Sequence, residues 1–538
     1  MRGIVACVHP RAAEEGAKIL EAGGNAFDAA IATAFVQMSV LPFSCGVSGM
    51  MSAHLFSPHQ NRHLVIDGCL RAGSLASESM WSGDYLGETE VSGSSQFEDF
   101  RSTMGYSSIC VPGTMAVLGD LHSKFSTMKW SELVKPSIDM ARNGIVVTPQ
   151  LERDLTPGAS IEYEPDINSR VKANINAAAI FLEKNGNHRK TGQVIPTPDF
   201  ADTLERISRA GPSDFYKGEL ANVIANDLES NGSFVTREDF YQYKTKIYKP
   251  VSTLYSGYEV FSNSAPGGGP LLIEALNVFQ KLGVSSMDHG GTEYLQNLAP
   301  ILQLVNQDRV DFLGDPDVIG YESLQQIISQ DRATAISELI TQGSLGVANS
   351  YPEDTDTTHL IVVDERGNVA TITHSLGNVS GVVTPGLGFV YNNGMNRFDP
   401  REGRAGSIGP GKARIHLMMP SMAFKDGLVK VVFGAPGGNA ILSALVQVFT
   451  NVVDFGMTAI EAVTAPRIHA ESDKVWCEAT IRSDLVNQLK NQGHQVHHDA
   501  ASLSDNQARA QLVVIDKDLN FDGASDPRGP MGLVHSKN

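Results

Sequence analysis

Two short segments of the chain, residues 357–363 and 369–375, alternate in the manner of β-strands on either side of a polar turn. Period-two alternation around a Gly-Asn turn predicts a β-hairpin. With the turn centred on Arg366, the register pairs Thr357 with Ser375. Directly opposed residues of a hairpin have neighbouring side chains, so these two hydroxyls are predicted to lie within hydrogen-bonding distance.

Thr357 has the chemistry of a nucleophile if it becomes the first residue of a chain. Its hydroxyl can then attack a carbonyl carbon while its own α-amine accepts the proton. The α-amine is a competent base because its reference pKa is about 7.7–8.0. Threonine is also a favourable strand residue, so the hairpin by itself favours an ordinary strand.

The rest of the chain has helical and strand patterns typical of a mixed protein, without tandem repeats. Helices are predicted over 10–40 with a break at Gly23-Gly24-Asn25, over most of 115–235, over 287–345 and over about 439–455. Polar loops are predicted at 151–175 and 185–199, and strands at 51–67, 387–393 and 429–434. The polar segment 346–356 is predicted to be a linker, and such segments are suited to proteolytic processing.

Several further blocks share their order and spacing with one known family. They are GIVACVHPRAAEEGAKILEAGGNAFDAAIATAF at the start, VPGTMAVLGDLHSKF and SAPGGGP in the middle, and FGAPGGNAILSALVQVFTNVVDFGM, APRIHA and GASDPR at the end. With TTHLIVVDERGNV between them, the chain resembles the γ-glutamyltranspeptidase family of N-terminal nucleophile hydrolases. The resemblance implies an α+β fold, the four-layer αββα sandwich of that superfamily.

The resemblance also implies self-cleavage. Members of the family cut their precursor before the first Thr of a Thr-Thr-His or Thr-Ala-His motif, which corresponds here to the bond between Asp356 and Thr357. The expected products are a large subunit, 1–356, and a small subunit, 357–538, which together form one αββα domain. The expected partner of each subunit is therefore the other half of the same precursor.

A glycine-rich loop, GAPGGN at 434–439, follows a predicted strand and precedes an apolar helix. Adjacent glycines at a helix N-terminus expose backbone N–H groups where the helix dipole favours negative charge. The family uses the corresponding Gly-Gly as its oxyanion hole, so Gly437 and Gly438 are candidate catalytic residues. The loop lacks the Lys-Ser/Thr of a P-loop and the spacing of GxGxxG, which argues against nucleotide binding.

A serine-hydrolase interpretation is weaker. The nearest approaches to GxSxG are GVSGM at 46–50 and GNVSG at 377–381. The first lacks the closing glycine, and the second has its serine one place late and no helical segment after it, as a nucleophile elbow requires.

The positions that hold the γ-glutamyl group in the family differ in this chain. The family binds the substrate α-carboxylate with an Arg whose place is taken by Cys69, and with a Ser-Ser pair replaced by His416-Leu417. Its two contacts to the α-ammonium have become Gly394 and Arg397, and an Asn near the second hydroxyl has become Gly377. A desolvated guanidinium repels an ammonium ion, so glutathione is not the expected substrate.

These substitutions predict an acyl group that bears a carboxylate and lacks an α-amine. Arg397 is the main candidate to bind it, although most arginines are exposed and an ordinary surface or ion-pair role is the alternative. The full set of predicted substrate-binding residues is Arg397, Arg71, His416, Asn393 and Thr358.

Composition and charge exclude several other classes of protein. The net charge is −18, which argues against binding to nucleic acid or to an anionic membrane. The longest apolar candidate, 29–40, contains Thr33, Gln37 and Ser39 and so predicts a buried helix and not a membrane span. No signal-peptide pattern is recognised at the start, so a cytoplasmic location is expected.

No cofactor and no metal are expected from the sequence. The five cysteines are scattered, without CxxC spacing, which is typical of free thiols in a reducing compartment. The group His494, His497, His498 and Asp499 has no second set of ligands at recognisable spacing, whereas metal sites need three or four convergent ligands.

Three functional hypotheses follow. The leading one is a self-processing amidohydrolase or acyltransferase that acts on a small-molecule amide with a carboxylate-bearing acyl group. The second is a true γ-glutamyl hydrolase or transpeptidase that acts on glutathione-like compounds. The third, of another class, is an unprocessed binding homologue without activity. The retained Thr357, Ser375, Gly437 and Gly438 favour an enzyme.

Overall fold

The computed structural model describes residues 2–87, 95–158, 165–343, 357–504 and 507–537. The linker predicted at 346–356, including Asp356, lies outside the described residues. The helices are α1 Pro10–Glu21, α2 Ala26–Val40, α3 Thr114–Phe125, α4 Trp130–Asn143, α5 Pro149–Leu155, α6 Ile167–Ala173, α7 Ile175–Phe181, α8 Pro198–Ala210, α9 Asp214–Lys217, α10 Glu219–Ser230, α11 Arg237–Gln242, α12 Gly269–Leu282, α13 Thr292–Phe312, α14 Pro316–Ile319, α15 Glu322–Ile327, α16 Gln330–Thr341, α17 Ala440–Val453, α18 Ala459–Thr464 and α19 Ser483–Asn491.

The strands are β1 Gly3–Cys7, β2 Met50–Ser57, β3 Arg62–Gly68, β4 Ile145–Val146, β5 Val194–Ile195, β6 Lys246–Tyr248, β7 Val251–Tyr255, β8 Tyr258–Ser262, β9 Thr357–Asp364, β10 Val369–Ser375, β11 Ser421–Lys425, β12 Leu428–Gly434, β13 Ile468–Glu471, β14 Lys474–Cys477, β15 Gln495–His498, β16 Gln511–Ile515, β17 Phe521–Ser525 and β18 Gly532–His535. Short 3-10 turns cover Tyr106–Ser108, Val284–Ser286 and Gly394–Arg397.

Two large sheets form the centre of the molecule. The first has the strand order β18-β1-β9-β10-β2-β3-β6, and the second has the order β17-β16-β12-β11-β8-β7. Apolar side chains such as Ile361, Val432 and Val513 fill the space between the sheets. The alternation along each strand sends successive side chains to opposite faces, so each sheet also needs cover on its outer face.

Helices provide that cover on both sides. The outer face of the first sheet packs against α1, α2 and α3 through residues such as Phe35 and Leu360, and α4 packs on α2. The outer face of the second sheet packs against α12, α17 and α18 through residues such as Leu276 and Phe449, and α13 packs on α12. The order helix, sheet, sheet, helix confirms the predicted four-layer αββα sandwich.

The hairpin has the predicted register. Thr357 pairs with Ser375, and His359 pairs with Thr373. The turn is closed by the Asp364 carboxylate, which accepts the backbone N–H groups of Arg366 and Asn368. The same carboxylate accepts the N–H of Ala26, so the turn is attached to the first residue of α2.

Two local predictions were wrong. Residues 387–393 form no strand; Asn392 makes only an isolated bridge to Val379, and Gly388 has a φ of +71° that breaks the extension. The segment 151–175 is not one loop, because α5 ends in it and α6 lies within it. Its polar residues include N-caps: Asp166 accepts the N–H of Ser169 at the start of α6.

The outer face of the hairpin is held by one buried amide, Gln37 of α2. Its Nε2 donates to the Thr358 hydroxyl at 2.7 Å, and its Oε1 lies 2.8 Å from His374 Nε2. Burial lowers the pKa of His374 to about 3, so the ring is neutral and can donate from Nε2. Gln37 therefore satisfies one polar group on each strand of the hairpin.

Over the residues that the structure describes, no helix combines the length and the apolar character needed to cross a lipid bilayer.

We predict that Gln37→Leu lowers the thermal unfolding temperature by several degrees, because Thr358 and His374 lose buried hydrogen-bond partners at a cost of about 2–4 kcal/mol. Differential scanning calorimetry measures this change. The matched control is Gln325→Leu on α15, where the side chain is exposed. Equal unfolding temperatures for Gln37→Leu and the wild type would contradict the bridging role of Gln37.

Candidate active site

Thr357 is the first residue of β9, and its side chain faces the space between the two sheets. Its Oγ1 lies 3.0 Å from the Oγ of Ser375 on the paired strand. Ser375 Oγ also accepts the N–H of Gly377 at 2.8 Å, which fixes the serine side chain. Both residues are buried, with Thr357 exposed by 5%. The hairpin register thus brings two hydroxyls together at the start of β9.

A cavity opens at Thr357. The residues that line it come from the first sheet, from the helices α13 and α17, and from the segments between regular elements: Met50, Arg309, Thr357, Arg397, Arg414, Ile415, His416, Leu417, Met418, Gly438 and Ile441. A concave, partly apolar cavity with a few convergent polar groups is the usual form of a small-molecule site.

The glycine loop lies between β12 and α17 and contributes Gly438 to the cavity wall. Gly437 and Gly438 have φ values of +138° and +56°, which favour glycine at both positions. A side chain on Gly437 would also collide with the backbone of Ala508. Within the described part of the chain, neither glycine donates its N–H to another residue. These N–H groups can therefore bind a developing oxyanion.

His359 packs against the first residue of the glycine loop. Its ring lies between the hydroxyls of Thr371 and Thr373, and a Cβ on Gly434 would collide with the ring. Burial, and then the proximity of His374, lowers the pKa of His359 to about 3. The neutral ring thus packs against the residue where the glycine loop begins.

The charge of the cavity wall is positive. Arg309, Arg397 and Arg414 line it, and no carboxylate is among the lining residues that the structure describes. Arg397 Nη1 lies 3.5 Å from the Oδ1 of Asn439, next to the glycine loop. All three guanidinium groups are at least nine-tenths buried, so their field is weakly screened and favours an anionic ligand.

One buried carboxylate, Glu471, does not line the cavity but offsets part of this positive charge. It pairs with Arg309 and accepts from Asn439 Nδ2 at 3.0 Å. Burial raises the pKa of Glu471, but the charge of Arg309 outweighs it and the pKa falls to about 2. Glu471 is therefore ionised, and it orients Arg309 and Asn439 together.

Three of the predicted substrate-binding residues lie away from the cavity. Arg71 donates to the carbonyl of Gly411 and pairs with Asp315 at 3.5 Å. Asn393 donates to the carbonyl of Thr103. Thr358 lies on the opposite face of β9 from Thr357, against Gln37, because successive strand residues alternate. Their contacts are structural.

His416 and Arg397 do line the cavity as expected. Cys69 contacts His416, and its Sγ lies 3.5 Å from Nε2 of that ring. Gly394, where the resemblance predicted that an ammonium contact is missing, is packed so tightly that an added Cβ would meet Cys110 Sγ at 2.7 Å. An acidic side chain at 394 would therefore have to displace this packing.

Sequence reasoning missed Arg309 and Arg414. Arg309 lies on α13 and reaches the cavity from a helix with no recognised motif. Arg414 precedes His416 by two residues in the segment ARIHLMM, where a charged residue in an apolar run was an available signal. Burial of a guanidinium is costly unless it is paired, so such positions are candidates for binding sites.

Comparison with known proteins identifies the family of the chain. The model of the family described as Gamma-glutamyltranspeptidase matches residues 12–535. The Acylase ACY 1 proenzyme of Pseudomonas sp. (strain SE83) is 30% identical, covering 92% of this chain and 87% of its own. The Glutathione hydrolase proenzyme of Escherichia coli (strain K12) is also 30% identical, covering 98% of this chain and 90% of its own.

Comparison with solved structures supports the same family. The crystal structure of cephalosporin acylase from Bacillus halodurans superposes with a TM-score of 0.84 at 25% identity, covering 99% of this chain and 95% of the acylase. The match of the family model over nearly the whole chain and the αββα sandwich lead to one conclusion. The chain belongs to the gamma-glutamyltranspeptidase family of N-terminal nucleophile hydrolases.

Proposed function

We propose that this enzyme is a self-processing amidohydrolase in which Thr357 forms the acyl-enzyme and the acyl group carries a carboxylate but no α-amine. The observation that carries the proposal is the cavity itself. It has the Thr357 hydroxyl and Gly438 on its wall, together with three buried guanidinium groups. The proposed nucleophile, the proposed oxyanion-binding N–H group and the guanidinium groups therefore face the same cavity.

Maturation is the first step of the proposal. The Thr357 hydroxyl attacks the carbonyl carbon of Asp356, the peptide becomes an ester, and water cleaves the ester to free the Thr357 amine. The relatives named above are described as proenzymes, which supports processing here.

The two products, 1–356 and 357–538, stay associated under this proposal. The β9–β10 hairpin of the second lies between β1 and β2 of the first. In the other sheet, β11 of the second pairs with β8 of the first. Separation would break main-chain ladders in both sheets and expose the apolar layer between them.

Turnover uses the same groups. The free amine of Thr357 takes the hydroxyl proton as Oγ attacks the substrate amide. The N–H groups of Gly437 and Gly438 hold the oxyanion, and a single donor of this kind typically contributes about 2.7–4 kcal/mol. The amine leaving group takes the proton, and water then hydrolyses the ester on Thr357.

The acyl group is assigned from charge. Arg397 can form charge-assisted hydrogen bonds with a carboxylate, and Arg414 adds positive charge on the same wall. An α-ammonium has no lining carboxylate to accept it among the described residues. A monoamide of a dicarboxylic acid fits these constraints.

The second candidate is γ-glutamyl hydrolysis, favoured by the 30% identity with a glutathione hydrolase. An unprocessed binding homologue, the remaining alternative, has no use for an oxyanion site beside Thr357. Processing and acyl preference separate the three functions.

Thr357→Ala is predicted to abolish processing because it removes the attacking hydroxyl. A denaturing gel of wild type should give two fragments, and Edman degradation of the smaller should begin Thr-Thr-His-Leu. Thr358→Val is the control, since its side chain faces Gln37 and its protein should still be cut. Cleavage of Thr357→Ala at the same bond, or an intact wild-type chain, would refute self-processing by Thr357.

Ser375→Ala should slow both processing and turnover by about two- to tenfold, which corresponds to the loss of one hydrogen bond of about 0.5–1.5 kcal/mol. Ser375→Thr keeps the hydroxyl and should restore most of the rate. Time courses of cleavage and of p-nitroanilide release measure the two effects. If Ser375→Ala processes and turns over at wild-type rates, the second hydroxyl has no role in either step.

The processed enzyme is predicted to prefer glutaryl p-nitroanilide over γ-glutamyl p-nitroanilide. Arg397→Ala should lower kcat/KM for the glutaryl substrate by about 10–100-fold, the equivalent of one charge-assisted interaction of about 1.5–3 kcal/mol. Arg401→Ala is the matched control, because Arg401 pairs with Asp399 and does not line the cavity. A clear γ-glutamyl preference would support the second candidate, and an unchanged preference in Arg397→Ala would exclude Arg397 as the carboxylate ligand.

A further inference from the structure

Three ligand-type side chains converge behind the wall of the active-site cavity. Asp67 is the penultimate residue of β3, Cys69 follows it by two residues, and His416 comes from the loop before β11. Cys69 Sγ lies 3.3 Å from Asp67 Oδ1 and 3.5 Å from His416 Nε2. His416 Nε2 lies 3.7 Å from the same Asp67 oxygen. The three atoms form a nearly equilateral triangle.

The size of this triangle matches that of a tetrahedral zinc site. With a Zn–S bond of about 2.3 Å and Zn–N and Zn–O bonds of about 2.0–2.1 Å, tetrahedral angles place the ligand atoms about 3.3–3.6 Å apart. The observed separations of 3.3, 3.5 and 3.7 Å agree with these values to within a few tenths of an ångström.

Asp67 is short of hydrogen-bond donors for a buried carboxylate. It is 3% exposed, and Tyr248 donates to its Oδ2 at 2.9 Å. Among the described residues, its Oδ1 has only the Cys69 thiol, a weak donor, within hydrogen-bonding distance. A buried carboxylate of this kind is stabilised by a cation.

The triangle does not have the geometry of a catalytic relay. In a nucleophile–histidine–carboxylate triad, the two ring nitrogens face different partners. Here Nε2 of His416 faces both Cys69 and Asp67, and Nδ1 has no partner among the described residues. All three groups are directed at one point, which suits a shared ligand.

The ligands are also held in place before any ion binds. Tyr243 donates to the carbonyl of Cys69 at 2.6 Å. The backbone N–H of His416 donates to Pro266, and its ring rests against Gly267, where a Cβ would lie 2.9 Å from Cε1. Little reorganisation is therefore needed for coordination.

We propose that Asp67, Cys69 and His416 bind a zinc-class divalent cation with a water as fourth ligand. A small side cavity is lined by Asp67 and Cys69, and the water would lie on that side. Three cationic side chains line this cavity. Arg71 pairs with Asp315 and Lys246 pairs with Asp317, while Lys244 is exposed to solvent. They therefore only partly oppose the ion.

Zinc binding at this site conserves both charge and protons. The Cys69 thiol loses one proton to solvent as its sulfur bonds the metal, His416 coordinates as the neutral ring, and Asp67 as the carboxylate. The thiolate and carboxylate together neutralise the two positive charges of the ion. No other bond changes.

The test uses the purified wild-type protein with all its residues, whether or not it is cut at Thr357, stripped with a chelator and titrated with Zn²⁺ alone. One zinc per chain should be retained after dialysis, as measured by elemental analysis. Cys69→Ser and Asp67→Asn should weaken binding by at least about 100-fold, because loss of an outer-shell partner already costs about 10–100-fold. Cys45→Ser is the matched control, since Cys45 is a buried thiol near the carbonyl of Leu41.

Cobalt substitution gives a direct signature. Co²⁺ bound to wild type and to Cys45→Ser should show a thiolate-to-metal charge-transfer band in the near ultraviolet, and Cys69→Ser should lack it. Absence of this band in wild type, or zinc uptake unchanged in Cys69→Ser, would overturn the proposal. If Cys69→Ser does not fold, the wild-type spectrum alone decides. Each readout is independent of turnover by Thr357, so its outcome does not depend on the proposed activity.

Discussion

The pairing of Thr357 with Ser375 is the constraint on which the rest of the site depends. A slip of one residue in the β9–β10 ladder would turn Thr357 to the helical face, because strand side chains alternate with a period of two. The register is held at both ends of the hairpin: Asp364 ties the turn to α2, and Gln37 bridges both strands near Thr357. The same hairpin lies between β1 and β2, so its position is determined by the whole first sheet.

The second constraint is electrostatic. Three buried guanidinium groups line one cavity and are costly to desolvate, and Glu471 pairs with Arg309. The positive charge on the cavity wall favours an anionic ligand. Asn439 connects the two parts, because it contacts Glu471 and Arg397 and directly follows Gly438. Asn439 therefore connects Arg397 of the cavity wall with the glycine loop.

Sequence reasoning succeeded where the determining interactions are local. The hairpin register follows from alternation and one turn, and the strand–glycine–helix order of 434–453 follows from adjacent residues. It failed where one residue type serves more than one kind of structure. The polar caps of α6 and α7 led to the prediction of a loop, and the buried apolar residues at 387–393 led to the prediction of a strand. Arg309 could not be placed, because the contact of α13 with the cavity depends on packing between distant segments. The same limit applies to Asp67, Cys69 and His416, since 347 residues separate the thiol from the imidazole.

Under the proposed function, Cys69, Gly394 and His416 belong to one packed region. An added Cβ on Gly394 would meet Cys110 and Leu70, so the packing there leaves no space for an acidic side chain that could hold an α-ammonium. Cys69 and His416 contact each other, and His416 also lines the acyl cavity. The proposed carboxylate-binding role then falls to Arg397 and Arg414, which line the same cavity. Because neighbouring residues in a packed site are energetically coupled, the effects of exchanges at these positions are not expected to be additive. The proposed acyl preference therefore depends on the packing around the cavity, while Thr357, Ser375 and the glycine loop supply chemistry that is common to many acyl groups.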